Sequence, residues 1–133
     1  MRYIGIDYSL TSPCVCVFEG ETFSYESCSF HFLTSVGKYE GKFGDNVVGH
    51  PYPDYSCDEQ RHFNITNWVL NLIKADDKVL IEGYSMASTG RVFNIAENAG
   101  LLKHYLWLNK HPYDVVPPTV IKKFATGTSD LFK

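Results

Sequence analysis

What most constrains the fold of this chain is a change of pattern partway along it. Residues 2 to 7, 13 to 18 ("PCVCVF") and about 22 to 32 ("TFSYESCSFHF") are short runs rich in β-branched and aromatic side chains. Their connections are too short for a parallel crossover, so they predict an antiparallel meander of three strands. Beyond residue 57 the chain alternates instead. "DEQRHFNITNWVLNLIKA", 58 to 75, spaces Phe63, Ile65, Val69, Leu72 and Ile73 at near-helical intervals behind an acidic start, Asp58 and Glu59. "KVLIEGYS", 78 to 85, reads as a strand. "GRVFNIAENAGLLKHYLWLNK", 90 to 110, places Val92, Ile95, Ala96, Ala99, Leu102 and Leu106 on one stripe of a helix. "YDVVPP", 113 to 118, reads as a fifth strand stopped by prolines. "PTVIKKFATG" then predicts a helix opening near Pro118 and closing near Gly127. The order βββαβαβα predicts an α/β fold, a mixed five-stranded sheet with helices on both faces, because hairpins extend a sheet while βαβ crossovers cover it.

The 133 residues suit one domain, spanning 1 to 133. Residues 34 to 57 interrupt it, with Gly37, Gly41, Gly44, Gly49, Pro51 and Pro53 and no sustained period. They form an irregular insertion with room for a small hairpin. No apolar run reaches the ~18 residues of a membrane span, and the start lacks a signal peptide's apolar segment, so the expectation is a cytoplasmic protein with no membrane partner. Cys14, Cys16, Cys28 and Cys57 form no zinc-type spacing. Cys14 and Cys16, two apart in a strand, share a face and read as small structural hydrophobes. A net charge of −3 gives no overall attraction to nucleic acid, although Arg91, Lys103, His104, Lys110, His111, Lys122 and Lys123 make the second half locally basic.

Two predicted strands end in a carboxylate: Asp7 closes "YIGID" and Glu82 closes "KVLIE". A sheet of this order changes its direction of travel at the first strand, and ligands bind there, at the carboxyl ends of the strands. Strands one and four are then neighbours. Two adjacent carboxylates must share a proton or hold a cation, and a set of oxygens alone suits Mg²⁺, with Mn²⁺ able to substitute. The competing reading gives Asp7 a turn to cap and Glu82 a basic partner such as Arg91; together, and in this order of elements, the two acids favour the metal.

"IGIDYSLTSPCVCVF", "VLIEGYSMASTGRVFNIAENAGLLKHYLW" and "VVPPTVIKKFATG" resemble the three blocks of RuvC-type Holliday-junction resolvases, members of the ribonuclease H-like nuclease superfamily, in a form similar to those of bacteriophages. The likeness spans most of the chain outside 34 to 57. It implies a ribonuclease H-like fold, with Asp7 and Glu82 as catalytic, metal-binding acids. It also implies a Mg-dependent endonuclease that resolves four-way or branched DNA by phosphodiester hydrolysis, acting as a homodimer in the cytoplasm (the host's, for a phage protein). Lys122 and Lys123 match a segment that approaches the DNA backbone, and Tyr84 lies where the family often carries an aromatic side chain near the junction. With Arg91 these form the expected DNA-binding set.

Ser9 and Pro13 replace glycines common in the family's opening motif. The family supplies further metal-binding aspartates from a closing helix, and "GTSDLFK" ends before one; Asp130 does not match. The resemblance thus leaves a second reading, a non-catalytic protein of the same fold that binds branched DNA. Actin-like sugar kinases and ATPases also open with Gly-Ile-Asp, but they need a second phosphate loop in a second domain, for which this chain has no room. Off the core stripe of the helix 91 to 108, Phe93, Leu101, Tyr105 and Leu108 predict a second apolar face, and through it a dimer.

Overall fold

Alternation of side chains along each strand sorts the sheet into a helix-covered face and a second face that carries the acids. The computed structural model describes residues 1–83 and 92–121. Among these, seven strands form one sheet: β1 (Arg2–Asp7), β2 (Cys14–Glu19), β3 (Cys28–Thr34), β4 (Gly41–Phe43), β5 (Val47–Pro51), β6 (Lys78–Glu82) and β7 (Tyr113–Val116). Their order across the sheet is β4-β5-β3-β2-β1-β6-β7. β1, β2 and β3 make the expected antiparallel meander, and β6 and β7 add parallel strands on the other side of β1.

The count of seven corrects the expected five. The two additional strands come from residues 34 to 57, where β4 and β5 pair as an antiparallel hairpin and β5 lies parallel to β3. Gly44, with φ of 65°, supplies the left-handed residue of the tight connection between them. The third strand also begins later than expected, at Cys28, because Tyr25–Ser27 forms a 3-10 turn that Ser24 caps by accepting the Ser27 amide. That hydroxyl offers the backbone a local partner in place of a ladder.

Helix α1 (Asp58–Leu72) and helix α2 (Val92–Leu108) pack against each other on one face of the sheet. Their buried residues Ile65, Val69, Leu102 and Leu106 close over Ile4, Ile6, Val15, Leu33, Val79 and Ile81 in one core. Phe63, expected on the core stripe of α1, is instead 49 % exposed, since Ile65 and Val69 already fill the contact with the sheet. Helices on both faces were expected. Among the described residues both long helices share one face, and only the helical turn at 118–121 reaches the other.

Candidate active site

β1 and β6 are parallel neighbours with Ile6 beside Ile81, so the residues that follow, Asp7 and Glu82, end adjacent strands side by side. Ile4, Ile6, Val79 and Ile81 are turned into the core. The period of two therefore puts Gly5, Asp7, Leu80 and Glu82 on the opposite face. Asp7 is exposed and Glu82 half-buried. Both line one cavity of about 530 Å³, whose other walls include Cys14, Cys16, Phe30, Leu80, Val120 and Ile121. The expectation that strands one and four are neighbours with these acids at their carboxyl ends is what the fold builds.

The turn after β1 is capped by Ser9, whose Oγ accepts the Ser12 amide at 3.0 Å, so the capping role considered for Asp7 belongs to a neighbour. Across the β1–β2 pair Asp7 stands opposite Cys14. Burial raises the Cys14 thiol above its ordinary pKa, and the Asp7 charge raises it further. Burial also pushes Cys16 up to about 12, with Cys28 adding to the effect. Both thiols are therefore protonated at neutral pH and serve as apolar lining. Among the residues lining the cavity, the donors that suit a hard cation are the carboxylate oxygens of Asp7 and Glu82.

Two carboxylates on rigid neighbouring strands fit a hard divalent cation that keeps several of its waters, and Mg²⁺ and Mn²⁺ match that description. Among the described residues no group of three or more His, Cys, Asp or Glu side chains comes together. Tyr84, Arg91, Lys122 and Lys123 lie outside the described residues. Lys103 of α2 lines a smaller cavity, of about 320 Å³, that shares Glu82 with the main one. In the sequence Lys103 is legible only as part of a basic half. Tyr52 and Arg61 carry no such signal in the sequence, although both reach the turn after Asp7. Their hydrogen-bond partner, Leu10, is 42 and 51 residues away, a separation that no local pattern marks.

No family model matches the chain, and a search of curated proteins finds no significant relative. Solved structures do match. The structure of RuvC from Thermus thermophilus superposes with a TM-score of 0.63 at 16 % identity, over 100 % of this chain and 74 % of that one. T. thermophilus RuvC in complex with a Holliday junction substrate gives 0.59 at 16 % identity, over 98 % and 75 %. The chain has the RuvC-type, ribonuclease H-like fold.

Proposed function

We propose that this chain is a metal-dependent endonuclease acting on four-way or branched DNA, with Asp7 and Glu82 as its metal-binding, catalytic acids. The observation that carries the reading is the pairing of those two carboxylates at the ends of parallel neighbours, in one cavity, on a RuvC-type fold. A Mg²⁺ ion held there would supply charge stabilisation for phosphodiester hydrolysis. Asp7 and Glu82 contribute oxygen donors in a fixed spacing set by the strand ladder. The walls beside them, with Cys14, Cys16 and Leu80, are apolar and bring no competing charge. Lys122 and Lys123 are proposed as phosphate contacts, with Tyr84 and Arg91 beside the junction. A homodimer through α2 would match a two-fold substrate.

The test is binding to a four-way junction and to a linear duplex of equal length at the same salt, followed by cleavage in Mg²⁺. Junction preference, steep weakening with salt and Mg²⁺-dependent cutting abolished by Asp7→Asn are the expected results. Equal affinity for both DNAs, or preference for an RNA–DNA hybrid, would remove the junction assignment. A second reading, binding of branched DNA without cutting, is favoured by one observation: among the described residues the cavity is lined by two acids, and no group of three or more metal-ligating side chains forms. Junction binding with no cleavage in Mg²⁺ or in Mn²⁺ would select it.

A further inference from the structure

The carboxylate of Asp7 is exposed, so its position depends on the backbone that carries it, and the backbone leaves the sheet directly afterwards. Residues 8 to 13 form a turn with little ladder of its own, yet it is tied down at successive points. The Tyr8 hydroxyl shares a buried hydrogen bond of 2.7 Å with Thr66 of α1. The Leu33 amide donates to the Pro13 carbonyl at 3.2 Å. Between these anchors the Leu10 carbonyl accepts twice, from the Tyr52 hydroxyl at 2.5 Å and from Arg61 Nη2 at 3.0 Å.

The two donors also hold each other, since Arg61 Nε donates to the Tyr52 hydroxyl at 2.9 Å. The guanidinium lies over the Tyr55 ring, 5.1 Å from its centroid. Tyr52 is itself placed by its amide, which donates to the Thr34 carbonyl at the end of β3. The loop from 53 to 57 is fastened to α1 through Asn64 Nδ2 on the Asp54 carbonyl and through Gln60 Oε1, which accepts from Ser56. A planar guanidinium with several directed donors suits such a junction of acceptors better than an ammonium does.

We propose that Arg61 and Tyr52 are positioning residues that clamp the Leu10 carbonyl and thereby hold the turn after β1, and with it the Asp7 carboxylate, in metal-binding geometry. This gives the segment 34 to 57, which the family-like blocks do not cover, a function: it delivers Tyr52 to the active end of the sheet. Mg²⁺ and Mn²⁺ both take octahedral oxygen sites, so a loosened Asp7 weakens the binding of either cation. The inference rests on the metal reading of Asp7 and Glu82.

The experiment compares wild type, Arg61→Leu, Arg61→Lys and Tyr52→Phe by two readouts that need no cleavage. Hydrogen exchange of the peptide covering 8 to 13 should quicken about ten-fold in Arg61→Leu, the loss expected for hydrogen bonds from a charged donor, while peptides over Ile4, Ile6 and Ile65 stay unchanged. Mn²⁺ titration followed by electron paramagnetic resonance, with Asp7→Asn as the reference for the site, should show weaker binding in Arg61→Leu and Tyr52→Phe. Arg61→Lys, able to satisfy one acceptor, should fall between wild type and Arg61→Leu. Tyr52→Phe removes one hydroxyl and keeps the ring, so it guards against misfolding of the larger change. Unchanged exchange in the turn overturns the clamp, as does faster exchange with unchanged Mn²⁺ affinity. Wild type that binds no Asp7-dependent Mn²⁺ overturns the metal reading and this role together, and the exchange data then show whether the brace itself exists.

Discussion

A stacked histidine pair sits beside α1, away from the acids. His31 Nδ1 and His50 Nε2 lie 3.1 Å apart, the rings stack at 5.3 Å between centroids, and Trp68 of α1 meets His50 edge-on. The other His31 nitrogen meets Ser29 Oγ at 3.3 Å. Burial lowers the His31 pKa, and the charge of His50 lowers it further. The unfolded chain takes up that proton near the ordinary value of about 6.5, whereas the folded ring resists it. The stabilising contribution is therefore complete above that value and is lost as pH falls from it through the folded pKa. Urea unfolding at pH 7.5 and 5.5 should show a lower midpoint in acid, and His31→Gln should flatten the difference. An equal drop in both proteins would mean that other groups carry it. The histidines lie in β3 and β5, and their meeting was not legible in the sequence, because the strand that brings His50 alongside is the one hidden in the irregular segment.

At the scale of elements, the β4–β5 hairpin depends on one close approach. A Cβ at Gly49 would stand 1.9 Å from the Tyr39 carbonyl oxygen and 2.8 Å from the Phe32 ring. The first contact is with backbone, which cannot swing aside as a side chain can. Gly49→Ala should therefore destabilise by about 1–3 kcal/mol or more, the range of overpacked sites, read as a lower urea midpoint at unchanged slope. Full stability in this variant would show that the hairpin shifts freely. Because β5 leads directly to Tyr52, the same change should quicken exchange in the turn at 8 to 13. Helices α1 and α2 were the more legible elements, since a stripe at a period of 3.6 is written in consecutive residues. Even there, Phe63 belongs to the apolar pattern but faces water: a stripe says which arc is apolar, and the sheet beneath decides which part of it is covered.

For the molecule as a whole, α2 carries a second apolar face. Phe93 is 79 % exposed, Trp107 71 % and Leu108 52 %, while Leu101 and Tyr105, expected on the same face, are half-buried. If two copies join there, Phe93→Glu with Trp107→Glu should give a folded monomer by sedimentation, with weakened junction binding; a wild-type chain already monomeric at high concentration would end the dimer reading. The sequence by itself determined the meander of β1 to β3, the alternation of α1, β6, α2 and β7 that follows residue 57, and the acids Asp7 and Glu82 at two strand ends, because periods of two and 3.6 and the residues that close them are local. Only the tertiary structure decided the rest. It set β5 beside β3, put both long helices on one face of the sheet, and brought Arg61 and Tyr52 to the Leu10 carbonyl from 51 and 42 residues away. Such contacts depend on how the whole backbone closes its loops and pairs its edges. No run of neighbouring residues encodes them.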